Sequence, residues 1–228
     1  MMGKAEYDRA RALVDVAFNN NIEKICKKSF CKTIDVQLGV YQGEGEYKGW
    51  LTISLKPSKG LVDWLINIFG FLIPVPLDFG YVHGLYWKEV IHYWPEFIAL
   101  IHTNKALADA MDKGVLIAGR SKGGAEAVLV GYRMWYPGLK MEIAPIESPR
   151  FCSYWLARAI ERRIGKKHIH YTVYRNDIVP GLFKWLMIPG VKHQIGERTN
   201  GLSIKDHQQS TQDESIFYDE IERLYKEG

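Results

Sequence analysis

Val115-Leu116-Ile117-Ala118-Gly119-Arg120-Ser121-Lys122-Gly123-Gly124-Ala125 is the stretch on which the fold turns. Gly114 opens a short apolar run, Val115 to Ala118, of the kind expected for a strand buried on both faces. From Ser121 to Trp135 the chain is rich in Ala, Gly and Val, which predicts a helix packed closely on that strand. Between them lies Gly-x-Ser-x-Gly. In a turn this tight the serine takes a strained backbone, and side chains two residues before and after it would collide with their neighbours. Gly119 and Gly123 remove those side chains. The Ser121 hydroxyl is then presented at the strand end, beside a helix N-terminus whose dipole and free N–H groups favour a developing oxyanion. The Lys122 N–H is the natural first donor. A phosphate-binding Gly-rich loop is the competing reading, but the G-x-x-x-x-G-K-[ST] order is absent.

Outward from this segment, strand alternates with helix. Met141 to Ile146 and His170 to Tyr174 read as strands, and Ser153 to Ile164 reads as a helix. That alternation predicts a mainly parallel sheet with helices on its faces. Upstream, Ile34 to Val40 and Tyr47 to Leu55 alternate apolar and polar residues around Gln42-Gly43-Glu44-Gly45-Glu46, which predicts an antiparallel hairpin near the N-terminus. Ala10, Leu13, Val14 and Ala17 predict an amphipathic helix over about residues 5–18. Gly84 to Met111 reads as mostly helical, with Pro95 marking a break or kink between two helices. Residues 181–212 show no regular periodicity, and Glu214 to Tyr225 reads as a last helix. With no internal repeat or linker, the expectation is one α/β domain over residues 1–228, its catalytic core spanning about 34–212.

Composition narrows the function classes. The chain has 228 residues, 47% hydrophobic and 25% charged, with a net charge of +4, and its basic residues are interspersed with acidic ones. That charge pattern gives no footprint for nucleic acid. Three cysteines, Cys26, Cys31 and Cys152, argue against a disulfide framework and a two-pair zinc site. The N-terminus lacks the apolar core of a secretory signal, and Trp64 to Leu77 is too interrupted and too short to span a bilayer. The expectation is therefore a cytoplasmic protein, with export by another route left open.

A serine nucleophile on such an elbow needs, later in the chain, an acid and then a histidine. Asp177 follows directly on the strand His170 to Tyr174, where catalytic groups of open α/β sheets collect; a turn cap is the alternative. His193 and His207 lie beyond it, in the irregular region where a base belongs. Asp206 adjoins His207, and adjacent side chains rarely face each other.

These landmarks resemble the class 3 lipases, the family of fungal triacylglycerol lipases and their bacterial and phage relatives, as a divergent bacterial or phage-like member. The family's Gly-His-Ser-Leu-Gly-Gly-Ala corresponds to Gly119-Arg120-Ser121-Lys122-Gly123-Gly124-Ala125, and its Gly-Ser-Pro-Arg to Glu147-Ser148-Pro149-Arg150. Its Asn-Asp-x-Val-Pro, which carries the catalytic acid, matches Asn176-Asp177-Ile178-Val179-Pro180. Val82-His83-Gly84 resembles its Val-His-x-Gly-Phe segment, and Lys56-Pro57-Ser58 stands where its Arg-Gly-Thr supplies a second oxyanion donor. The likeness covers about residues 50–210.

The resemblance implies an α/β-hydrolase fold and a carboxylic-ester hydrolase of the triacylglycerol-lipase type. Its catalytic residues would be Ser121, Asp177 and His207, its oxyanion hole Lys122 and Ser58, with His193 as the fallback base. No cofactor or metal is implied. The expected partner is a small-molecule ester or lipid, met in transient contact with a lipid interface. A phospholipase, a thioesterase and a catalytically silent binding protein on the same fold are the alternatives. Trp64 to Leu77, Tyr86-Trp87, and Phe183, Trp185, Leu186 and Met187 are candidates for a cleft wall or interfacial surface. The charged pair Arg120 and Lys122 either tunes the site or decorates the turn.

Overall fold

The computed structural model describes residues 2–31, 34–57, 75–198, 201 and 203–226. Among them a seven-stranded sheet runs in the order β1-β2-β3-β6-β7-β8-β9. Its strands are β1 (Ile22–Cys31), β2 (Ile34–Tyr41), β3 (Leu51–Pro57), β6 (Val115–Arg120), β7 (Met141–Ile146), β8 (His170–Tyr174) and β9 (Val191–Ile195). The pair β4 (Val75–Leu77) and β5 (Gly80–Val82) forms a separate small ribbon. Strands β1 to β3 pair antiparallel, while β3, β6, β7, β8 and β9 pair parallel. The expected hairpin is β2–β3, with Ile34 opposite Pro57 and Val40 opposite Leu51.

Helices cover both faces of this sheet, as its all-parallel half requires. Along β6 the burial alternates in destination. Val115 and Ile117 enter a core beneath α2 (Gly84–Thr103), α3 (Lys105–Lys113), α4 (Lys122–Met134) and α5 (Tyr154–Ile160). Leu116 and Ala118 enter a second core beneath α1 (Lys4–Phe18) and α7 (Ser215–Lys226). A one-residue slip of β6 would exchange the two sets, so register and layer order are fixed together. On the α1 side, buried Asp15 accepts hydrogen bonds from the Tyr41 hydroxyl at 2.7 Å, the Tyr218 hydroxyl at 2.5 Å and the Asn21 amide at 3.0 Å. One carboxylate thereby ties α1 to β2 and α7.

The structure corrects the helix break. Helix α2 continues unbroken past Pro95 and stops at Asn104. Asn104 then opens α3, its side chain accepting from the N–H groups of Ala106 and Leu107 at 3.0 and 3.3 Å. A good N-cap outweighs a proline here, because the cap satisfies two otherwise unpaired donors at once. Strand β1 is an addition to the expected hairpin. Its alternation is blurred by lysines, as on many solvent-facing edge strands.

Candidate active site

The elbow forms as its residues require. Strand β6 ends at Arg120, Ser121 follows with φ 51° and ψ −125°, and α4 starts at Lys122. A non-glycine residue in that region costs on the order of 1–3 kcal/mol. Neighbours lock it in place, with Ser121 N–H donating to Ile146 O at 2.8 Å and Gly124 N–H to Ser121 O at 2.9 Å. A Cβ on Gly119 would collide with the carbonyl of Gly123, and one on Gly123 with the carbonyl of Leu55 at the end of β3.

At the C-terminal ends of the parallel strands, three side chains meet. His207 Nε2 lies 3.0 Å from Ser121 Oγ, and His207 Nδ1 lies 2.7 Å from Asp177 Oδ2. The pattern suits an imidazole whose Nδ1–H donates to Asp177 and whose Nε2 accepts from the Ser121 hydroxyl. Asp177 is 3% and His207 7% exposed, so their pairing is largely desolvated. The other Asp177 oxygen accepts from Val179 N–H at 2.7 Å, which fixes the carboxylate plane.

His207 is carried by α6 (Ile204–Gln212), whose N-cap Ser203 Oγ accepts from Asp206 N–H at 3.1 Å. The loop bearing Asp177 and the start of α6 are stitched together. Ser203 N–H donates to Asn176 O at 2.8 Å, Ile178 N–H to Ser203 O at 3.2 Å, and Asn176 N–H to Asp206 Oδ2 at 3.2 Å. Acid and base are therefore positioned by one local unit, and Asp206 serves its backbone. Arg150, last residue of the Glu-Ser-Pro-Arg landmark, holds the next loop by donating to the carbonyls of Pro180, Lys184 and Leu186.

His193 lies elsewhere. It sits on β9 with Nε2 3.1 Å from His170 Nδ1, on the wall of a cavity of about 490 Å³ between the sheet and helices α1 and α7. Desolvation there, followed by His170, lowers its pKa to about 4. Ser58 lies outside the described residues, as do residues 64–74 of the expected apolar segment. Tyr86 is buried and Trp87 is partly buried against the core. The later cluster divides: Leu186 is buried and Met187 packs against the core, whereas Trp185 is 67% exposed.

Both charges flanking Ser121 are engaged inside the fold. The Lys122 side chain is 3% exposed, its Nζ 2.7 Å from Glu89 Oε2 on α2 and 3.5 Å from Glu126 Oε1 one turn along α4. Arg120 points to the opposite face, its guanidinium 4.6 Å from the Phe18 ring centroid. Burial lowers its pKa, and Glu214 opposes that shift. Both cations are thus committed to partners inside the fold. Lys122→Met would leave Glu89 and Glu126 without their buried counter-ion, so a loss of about 3–5 kcal/mol is expected. Thermal unfolding should show a Tm fall on the order of 10 °C. The residue-122 N–H survives, so activity per folded molecule should stay within a few-fold.

Glu147 is the feature the sequence did not single out. It is fully buried with φ 50°, just past β7, and its carboxyl lies within 4.8 Å of ligand atoms of Asp177 and His207. These three are the one group of acids and histidines among the described residues close enough to share a metal ion. His207 Nδ1 is already engaged by Asp177, so the group is built as a hydrogen-bonded chain and not as a cation cage. The readable signal was an acid where the resembling landmark carries glycine.

The comparisons with known proteins bear on the family and the fold. The model of the class 3 lipase family matches residues 52–187. No curated protein sequence matches the chain. Among solved structures, the lipase of Rhizopus microsporus var. chinensis superposes with a TM-score of 0.70 at 15% identity, covering 90% of this chain and 86% of that one. The Rhizomucor miehei lipase in complex with its propeptide gives 0.68 at 15% identity, covering 90% and 80%. A fungal lipase–inhibitor complex gives 0.70 at 16%, covering 92% and 97%. At these identities the structural likeness speaks for the α/β-hydrolase fold, and the family match goes further. Strand, elbow, parallel sheet and family model converge on one conclusion: this chain belongs to the class 3 lipase family.

Proposed function

We propose that this protein hydrolyses carboxylic esters of the acylglycerol type through an acyl-Ser121 intermediate. The observation that carries the reading is the unbroken chain from Ser121 Oγ to His207 to Asp177, at 3.0 and 2.7 Å, with the serine on a strained elbow. His207 Nε2 takes the hydroxyl proton as Ser121 Oγ bonds to the ester carbonyl carbon. Asp177 stabilises the imidazolium so formed. The same His207 proton then passes to the leaving alcohol, and water repeats the sequence to release the acid. The Lys122 N–H at the first position of α4 faces the developing oxyanion, with Ser58 proposed as the second donor. Losing one such donor typically costs roughly 10²–10³ in kcat. The chemistry calls on no metal or organic cofactor.

A lipid surface is the partner favoured by the exposed aromatics. Phe79, Tyr81, Tyr154, Trp155 and Trp185 are each more than half exposed. They sit on segments joined edge to edge, since Val82 bridges Cys152 and Cys152 bridges Met187. A fungal neighbour is described in terms of interfacial activation. Among the described residues no helix is long and apolar enough to cross a membrane. Trp155→Ala with Trp185→Ala should weaken hydrolysis of an emulsified ester by about tenfold. Turnover of a water-soluble p-nitrophenyl ester should stay within twofold, the split expected if these rings bind an interface. Equal loss on both substrates would remove the interfacial assignment.

A fluorophosphonate probe tests the core of the proposal. Stoichiometric labelling at Ser121, mapped by peptide mass analysis, is expected of an activated serine. Folded protein that takes no label would instead be a silent binding protein on this fold.

A further inference from the structure

Glu147 occupies a position that physical chemistry disfavours twice. Its φ of 50° lies in the left-handed region suited to glycine, and its carboxyl is fully buried. Taken as an acceptor, neither carboxyl oxygen finds a well-aligned donor among the described residues. Buried carboxyls left so are rare and ask for a reason. Geometry supplies one: the carboxyl lies within 4.8 Å of ligand atoms of both Asp177 and His207. The main chain holds it there, because Glu147 N–H donates to Thr172 O on β8 at 3.3 Å, the strand that leads to Asp177.

We propose that Glu147 is a positioning residue of this triad: a neutral carboxylic acid whose O–H is directed at Asp177, keeping that carboxylate charged and turned toward His207. The inference rests on the ester-hydrolase reading above. Two ionised carboxylates this close in a desolvated site would repel, so one of them holds a proton. Asp177 already accepts from His207 Nδ1–H and Val179 N–H, so its oxygens are taken up as acceptors. Glu147 is thus left with the proton. Burial first, and then the neighbouring Asp177, push its carboxyl well above the usual carboxylate range; Asp206 acts in the same direction, and a Tyr174 backbone contact opposes it. Such a proton donor shields Asp177 from further solvation change and lowers the freedom of its carboxylate to rotate off His207. Glu147 touches no reacting atom and acts only through Asp177.

The linkage sign follows from the raised pKa. Between the ordinary glutamate range and the raised value, the folded chain holds a proton that the unfolded chain has released. Stability contributed by this group is therefore present at acid pH and lost as pH rises.

Two variants and one spectrum test the proposal. Glu147→Gly suits the left-handed backbone and removes the buried acid, so its Tm should equal or exceed the wild-type value, with the advantage growing from pH 5 to pH 8. Its kcat/KM should nevertheless fall roughly tenfold, the scale on which groups one layer behind a functional residue act. Glu147→Gln keeps a neutral donor of the same length and should retain at least half of the wild-type kcat/KM. It should also abolish any alkaline fall in the pH profile that stems from ionisation of Glu147. Infrared spectra at neutral pH should show a protonated-carboxyl C=O band in the wild type that is absent in Glu147→Gln. Glycine activity within twofold of wild type, glutamine as impaired as glycine, or no such band would each overturn the proposal. If the wild-type protein turns over no ester, the hydrolase reading is what fails, and the infrared band still reports the state of Glu147.

Discussion

Ser121→Ala is expected to reduce ester hydrolysis by on the order of 10⁴–10⁶ in kcat, with the fold intact. Removing Oγ leaves His207 with no proton to accept, so water must attack unaided. Whatever activity remains comes from oriented binding and the oxyanion donors. Alanine keeps a Cβ, and the backbone at φ 51° stays as strained as before, so Tm should hardly move. Ser121→Gly makes the separation sharper. Glycine adopts that conformation without penalty, so a gain of about 1–2 kcal/mol is expected together with the same loss of turnover. A gain in stability beside a loss of activity is the signature of strain held for catalysis. Calorimetry and p-nitrophenyl ester kinetics on the three proteins check both halves. If Ser121→Ala kept even a hundredth of the wild-type rate, Ser121 would not be the nucleophile.

How much of this was readable before the fold was known depends on the range over which each feature is decided. The elbow is local: an apolar strand, two obligatory glycines and a small-residue helix lie within twenty residues, and the backbone follows from sterics. Strands β7 and β8 were equally legible, because each is a short apolar or alternating run with one answer. Strand β9 was not. Val191 to Ile195 mixes Lys192, His193 and Gln194, and its strand state comes from pairing with β8 and not from its own alternation. Helix α6 was hidden for a similar reason. Over its described side chains, residues 204–209, His207 is the one buried position, so periodicity finds no apolar stripe there.

The charged pair shows the same limit on the side-chain scale. Arg120 and Lys122 read from sequence as a cationic elbow, and a cationic elbow suggests an anionic substrate. Residues two apart across a strand–helix junction leave in different directions, and their partners come from distant segments: Glu89 on α2 for Lys122, and Phe18 on α1 for Arg120. Charge seen in sequence is formal charge, whereas the cleft feels only what remains after internal pairing. Glu147 is the converse case. Its departure from glycine was visible, but its meaning required knowing that the turn after β7 lies against the turn after β8.

The choice between two histidines yields the other large effect. His207→Ala should lower kcat by on the order of 10⁴–10⁶, comparable to loss of the serine, since nucleophile and base act as one unit. The double variant with Ser121→Ala should accordingly be no slower than either single variant. His193→Ala should leave kcat and KM within twofold, because its ring pairs with His170 at the start of β8, whereas Asp177 follows that strand's other end. It has a different effect, on stability against pH. The folded-state pKa near 4 lies below the ordinary histidine value, so the unfolded chain binds a proton there that the folded chain does not. Stability is thus fully present above pH 6.5 and falls toward pH 4, and His193→Ala should flatten that acid limb in Tm measurements. Sequence alone left these two residues as rivals for one role. Loss of turnover in His193→Ala with activity retained in His207→Ala would reverse the assignment of the base and break the chain on which the ester-hydrolase reading stands.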